Sequence, residues 1–330
     1  MTIIEIANHL GVSPSTVSRA LNNSYQISKA TKKRIDDFIK EVNYRPNPQA
    51  ASLKRGATKT IAVIIPDISN YFFTLALNAI EEIANDNKYH VLIYQTHDSS
   101  DRETEIINQL YNGRVDGVII SVAGGSYKDF TAIENLSKSI PVVFFDRVID
   151  QPGMPSITCD DYESGLKGTQ HLIDKKCKDI LFIGISKQLS VTNVRLQGYT
   201  DALNNNGIII KKGNILLCKN ENIADREIAN VLCKLSADGV FSTVERYTLL
   251  LYAQCQNLGI KIPEQLKIIS FFNSPTAALL CPPLSSISHP AAKIGKAAAE
   301  SLFLRLKKQK NYVQKNTVFD CTFHYRKSSL

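Results

Sequence analysis

A chain of 330 residues, 44% hydrophobic and 21% charged, is too long for one small domain and too apolar for a disordered or fibrous protein. Its net charge of +8 is uneven: residues 1–60 carry 10 Lys and Arg against 4 Asp and Glu, so +6 sits there and only +2 on the remaining 270 residues. A basic end on a near-neutral body suits a polyanion partner for that end alone, or else a solvated basic helix.

No leader-like start and no run near the roughly 20 apolar residues of a membrane span is present, so a cytoplasmic chain with no membrane partner is expected. The seven cysteines (Cys159, Cys177, Cys218, Cys233, Cys255, Cys281 and Cys321) are scattered without a C-x-x-C pair. Buried free thiols in a reducing compartment are therefore expected, with no metal and no cofactor.

Three short helices open the chain. Thr2 and Glu5 have capping-box spacing, and Ile3, Ile6, Ala7 and Leu10 share a face until Gly11 permits a left-handed stop. Ser13 can cap a second helix with Pro14 at its first position and Val17 and Leu21 inside. Ser28 can cap a third, running through Val42, with Ile35, Phe38, Ile39 and Val42 inside. Helix, tight glycine turn and short helix make a helix-turn-helix, whose second helix enters the DNA major groove. That helix turns Pro14, Ser15, Ser18, Arg19 and Asn22 to solvent. Arg19 can bond both acceptors of one guanine, and Ser13, Thr16 and Asn22 are short donors suited to phosphates. A basic helical hairpin that docks a protein is the alternative.

Next, Asn47-Pro48 can start a helix and Gly56 stop one, which leaves residues 49–55. So short a helix does not persist alone in water, so it needs something to hold it. Leu53, between Ser52 and Lys54, suits a wedge at a minor-groove base step; packing of the same side chain on the body is the equal alternative.

From Thr60 short apolar runs alternate with amphipathic stretches. The runs are 61–65, 90–94, 117–122, 142–145, 180–185, 215–217, 239–242 and 268–272. This alternation predicts an α/β body of two doubly wound parallel sheets, with ligands beyond the carboxyl ends of the strands. Asn70, Phe72 and Phe73 follow the first strand, Asp146 and Arg147 the fourth, and Arg195 opens a helix in the second half. Aromatic faces with a carboxylate and a guanidinium suit a polyol ring. The alternatives are that Phe72 and Phe73 are core, the commoner fate of a Phe pair, and that Arg195 only pairs with a surface carboxylate. No P-loop, dinucleotide fingerprint, nucleophile elbow or histidine pair at metal spacing occurs, so an enzyme is not expected. His97-Asp98 reads as a polar turn, and Gly124-Gly125 is too little for a phosphate loop.

Residues 2–7 (Thr-Ile-Ile-Glu-Ile-Ala), 11–22 (Gly-Val-Ser-Pro-Ser-Thr-Val-Ser-Arg-Ala-Leu-Asn) and 43–47 (Asn-Tyr-Arg-Pro-Asn) together resemble the LacI/GalR family of bacterial regulators. So do 64–70, 114–117, 141–147, 195–199 and 259–263, in that order, which extends the likeness over nearly the whole chain. The resemblance implies an all-α headpiece (1–45), a hinge (46–59), and a sensor of two periplasmic-binding-protein-like subdomains. These would span about 60–157 with 290–318, and about 158–289 with 319–330. It implies a homodimer that binds a palindromic double-stranded DNA operator, in the repressor mode usual to the family, under control of a sugar-like effector. DNA contacts would come from Thr2, Ser13, Pro14, Ser15, Thr16, Ser18, Arg19, Asn22, Tyr44, Asn47, Ala50 and Leu53, with Leu53 as the lever at the operator centre. Effector contacts would come from Asn70, Phe72, Phe73, Asp146, Arg147, Arg195 and Phe272. The chain departs from the family pattern at Val244-Glu245, where Asn-Asp is usual, and at Phe272, where aspartate is usual. Either the ligand is less polar or differently oriented, or the pocket senses nothing. The end of the chain, with its run 319–325, shows no heptads and so no sign of a tetramer.

Overall fold

The computed structural model describes every residue except 22–23, 45–56, 112, 125–130, 150–152, 186–188, 219–220, 235–236 and 308–315, and leaves the side chains of 221–222 undescribed. Two compact units result, Met1–Thr58 and Lys59–Leu330.

The first unit holds α1 (Ile3–Leu10), α2 (Pro14–Leu21) and α3 (Lys29–Glu41). Thr2 and Glu5 form the expected reciprocal capping box, and Gly11 ends α1 at a φ of 62°. Ser28 caps α3, which stops one residue short of the expectation, with Val42 as its C-cap. Ile6, Ala7, Val17, Ala20 and Ile35 make the buried core, with Ile3, Leu10, Leu21, Phe38 and Ile39 packed around it. His9 stacks on Phe38 with centroids 4.4 Å apart, and the Arg34 guanidinium donates to the carbonyl of Leu10.

The second unit begins with β1 (Thr60–Ile65), α4 (Tyr71–Asp86), β2 (His90–Gln95), α5 (Ser100–Leu110), β3 (Gly117–Ile120), α6 (Thr131–Ser137), β4 (Val142–Phe145) and β5 (Ser156–Cys159). It continues with α7 (Asp161–Asp174), β6 (Ile180–Ile185), α8 (Ser190–Asn205), β7 (Ile215–Cys218), α9 (Glu221–Lys234), β8 (Gly239–Ser242), α10 (Glu245–Leu258), β9 (Lys267–Phe271) and β10 (Ser285–Ser288). Last come α11 (Ala291–Leu306), β11 (Thr317–Phe319) and β12 (Thr322–His324). Among the described residues two six-stranded sheets form, ordered β11-β5-β4-β3-β1-β2 and β12-β10-β9-β8-β6-β7. Every pairing is parallel save that of β10 with β12. Each sheet thus repeats one doubly wound order, with its switch point between β1 and β3 or between β6 and β8.

Alternation on the strands builds a core on each face. Ile61, Val63 and Ile65 of β1 pack with Ile80 of α4 and Ile294 and Leu302 of α11, while Ala62 and Ile64 pack with Ile106 and Leu110 of α5. In the second sheet Leu181 and Ile183 face Ile228 of α9 and Leu251 of α10. On its other side Ile180 and Phe182 face Leu172 of α7 and Tyr199 of α8. The single run expected at 319–325 is instead two strands, β11 in the first sheet and β12 in the second. β5 and β10, rich in Ser and Thr and only four residues long, carry no apolar run to betray them.

Candidate functional site

In the first unit, α2 presents Pro14, Ser15 and Arg19 to solvent, with Thr16 and Ser18 half-buried. Ser13 Oγ accepts from the Thr16 amide at 3.2 Å and lies 2.7 Å from Ser15 Oγ and 2.9 Å from Thr16 Oγ1. Its hydroxyl is therefore engaged in capping, as is that of Thr2, and each keeps only part of its hydrogen-bonding capacity for a phosphate. Tyr44 packs half-buried against the headpiece core. Asn22, Asn47, Ala50 and Leu53, with the whole 49–55 segment, lie outside the described residues.

In the second unit, the carboxyl ends of both sheets face one cavity. It is lined by Asn70, Phe72, Phe73, Asp146, Arg147, Arg195 and Phe272, all seven of the expected residues. It is also lined by Ile185, Val191, Thr192, Thr243, Val244, Glu245, Phe271, Asn273 and His289, which sequence reasoning did not single out as ligand contacts. Each lining group sits at the end of a strand, shortly past one, or on the first turns of the following helix. The cavity encloses about 70 Å³, well below the roughly 300–1,000 Å³ of typical small-molecule pockets.

Arg195, on the second turn of α8, is the centre of the site. Its Nε donates to Asp161 Oδ1 at 2.7 Å, one terminal nitrogen to the Thr243 carbonyl at 3.1 Å, and the other to His289 Nε2 at 2.8 Å. The guanidinium lies 3.8 Å over the Phe271 ring. Of five N–H donors, three are engaged within the protein, so at most two can turn to a ligand. Because Nε2 of His289 accepts, Nδ1 carries the proton and donates to Asn273 Oδ1 at 2.9 Å. Burial and the neighbouring Arg195 hold His289 neutral, well below its ordinary range.

Asp146 follows β4 at a φ of 59°, a conformation that Asp tolerates better than most residues. Ser121 Oγ donates to its Oδ2 at 3.2 Å. Burial pushes its carboxyl up to about 6, against the pull of Arg147 and Arg195. The Arg147 guanidinium pairs with Asp98, the residue expected only to make a polar turn. Burial also raises Asp161, opposed by Arg195, and Glu245, opposed by the amides of Asn273 and Ser274 that donate to its Oε2.

Phe72 and Phe73 are both core and wall. They meet edge-on at 5.1 Å, and Phe72 meets His289 at 5.2 Å, while Phe73 meets Phe145 at 6.0 Å. Asn70 caps α4 through Oδ1. Phe272 is 1% exposed and belongs to the core of the second sheet. The polarity that seemed lost at Val244 and Phe272 is supplied one residue later, by Glu245 and Asn273, both on the cavity wall. Aromatic rings among charged groups of both signs and neutral side-chain amides suit a small polyhydroxylated ligand.

The family model described as periplasmic binding proteins and sugar binding domain of LacI family matches residues 58–324, and that of bacterial regulatory proteins, lacI family, matches residues 2–47. The chain is 30% identical over 329 residues to catabolite control protein A of Staphylococcus aureus, covering 99% of this chain and 98% of that protein. A crystal structure of the lac repressor dimer bound to operator and the anti-inducer ONPF is similar with a TM-score of 0.85 and 20% identity, over 100% of this chain and 99% of that one. A periplasmic binding protein/LacI transcriptional regulator from Alkaliphilus metalliredigens, complexed with D-xylulofuranose, is similar with a TM-score of 0.70 and 25% identity, over 82% and 99%.

Proposed function

The chain belongs to the LacI family of bacterial regulatory proteins, DNA-binding transcription regulators with a sugar-binding effector domain; from that premise we propose that α2 reads a palindromic operator in the repressor mode and that the cavity around Arg195 holds a sugar or sugar derivative. Arg19, exposed on α2, is the base reader, with Ser15 and Pro14 beside it. Thr2, Ser13, Thr16, Ser18, Asn22, Tyr44 and Asn47 steady the headpiece on the backbone, and Ala50 and Leu53 act at the operator centre. The division at residues 45, 59 and the crossings between sheets is the working anatomy. The protein acts in the cytoplasm as a homodimer. No helix among the described residues is long and apolar enough to cross a membrane.

One observation carries the effector half: a cavity of about 70 Å³ at the carboxyl ends of both sheets, centred on a buried arginine. A ring-sized ligand does not fit unless the lobes part or side chains yield. If it is the lobes that part, its affinity differs between lobe arrangements, which is the thermodynamic condition for controlling DNA binding. Lobe angle then sets the spacing of the two hinge segments in the dimer, and their ordering sets operator affinity.

The test has two arms. Selection of DNA from a random pool by the intact protein should enrich a two-fold symmetric site, and Arg19→Ala should abolish the enrichment while leaving weak, salt-sensitive binding. Thermal midpoints against sugars, sugar phosphates, uronic acids and nucleobases should rise for one sugar class in the wild type and not in Arg195→Ala. No enrichment, or a rise only with nucleobases, overturns the corresponding half.

A further inference from the structure

The chain passes between the two sheets of the second unit three times, at residue 160 between β5 and α7, at 289–290 between β10 and α11, and at 320–321 between β11 and β12. A potential metal ligand stands at each passage: Cys159, His289 and Cys321. The two sulfurs and a ring nitrogen of His289 lie within 4.8 Å of one another. Both cysteines are free thiols in contact with each other, and Ser164 also reaches Cys321. Far apart in sequence, the three escape any reading based on spacing.

The surroundings are those of a ligand set. His289 donates Nδ1–H to the Asn273 side-chain carbonyl, so its lone pair is fixed on Nε2. Such an outer partner is what orients a metal-binding imidazole. Tetrahedral bonds of about 2.0–2.3 Å to nitrogen and sulfur bring donor atoms a little closer together than the present cluster, a change that rotations of three side chains supply.

We propose that Cys159, Cys321 and His289 bind one thiophilic cation such as Zn²⁺, and that the bound ion ties the three interlobe passages together. Both thiols release their protons to solvent on binding, so two thiolates neutralise the dication. The guanidinium of Arg195 nearby, already balanced by Asp161, then meets no net positive charge. The ion takes the Nε2 lone pair that now accepts from Arg195, and one N–H of Arg195 is freed toward the effector cavity it lines. The part of the idea that links ion to effector rests on the function proposed above; the binding itself does not.

The intact protein, held reduced with a phosphine, is titrated with Co²⁺ as a spectroscopic substitute for Zn²⁺. The expected result is one ion per chain, thiolate-to-cobalt charge-transfer absorption, tetrahedral visible bands, and displacement by Zn²⁺. Cys159→Ser and Cys321→Ser should each lose the charge-transfer band, while Cys233→Ser, at an exposed cysteine, should keep it. A second measurement needs no variant: Zn²⁺ should slow alkylation of Cys159 and Cys321, read peptide by peptide, by about ten-fold or more. Absence of the band in the wild type, its persistence in both variants, or unchanged alkylation overturns the proposal. So does a pair that gives no band yet joins as a disulfide once the reductant is removed. Neither readout involves DNA or a sugar, so failure here leaves the regulatory reading standing, and failure of that reading leaves this one standing.

Discussion

Arg195 shows how far a single side chain can be read ahead of its structure. Its place after a strand marked it for the ligand site, yet nothing local announced that Asp161, Thr243 and His289 would engage three of its donors. These partners arrive from other elements, so only the fold brings them together. Arg195→Ala would strand the buried Asp161 carboxylate, and removing one member of such a pair costs about 3–5 kcal/mol, to be read from urea denaturation. Arg195→Lys should recover only part, because an ammonium lacks the planar fork that reaches three acceptors. Asp146 makes a pH-dependent counterpart. Its folded value of about 6 lies above the ordinary 3.8, so the native state holds the proton more tightly. The stability this confers is full at low pH and falls as pH rises from about 4 through about 6. Asp146→Asn should therefore gain on the wild type across that window, by about 3 kcal/mol at most, and level off above it. Taking the difference between the two pH profiles cancels His289, whose lowered value works in the opposite direction.

Among elements, the helices with caps were the most legible. Thr2 with Glu5, Gly11 and Ser28 mark their ends by residue chemistry alone. The short polar strands β5 and β10 were illegible, since their place is decided by neighbouring strands and not by their own hydrophobicity. Contact between α7 and α8 was also hidden. A Cβ on Gly198 would lie 2.3 Å from the Tyr162 carbonyl and 2.7 Å from the Leu166 amide, and one on Gly165 would lie 2.5 Å from the Arg195 carbonyl. The two helices therefore touch backbone to backbone, and that approach brings Arg195 of α8 onto Asp161 of α7. Gly198→Ala must push them apart. We expect a loss of about 1–3 kcal/mol in thermal or urea unfolding, and a weaker response to any effector than an equally destabilising change elsewhere.

For the whole molecule, charge asymmetry and strand–helix alternation disclosed a basic reader and a two-sheet sensor, while the closeness of the cavity did not show in the sequence. Oligomeric state is a property of this scale. β2 is the outer strand of its sheet, and Leu92 and Ile93 are 41% and 45% exposed on it. An apolar edge left bare invites pairing, so Ile93→Lys should shift the proposed dimer toward monomer in sedimentation at equal concentration. The triple passage of the chain has a consequence of another kind. The first sheet lacks α11 and β11 until late in the sequence, and the second needs β12 and Ser328, which accepts from Ile268 and donates back to its carbonyl. Until residues 317–328 have left the ribosome, neither lobe can close, although the headpiece is already whole. A nascent chain should thus present a finished DNA reader ahead of an unfinished sensor, and the sensor should complete both halves nearly at once, when residues 317–328 emerge.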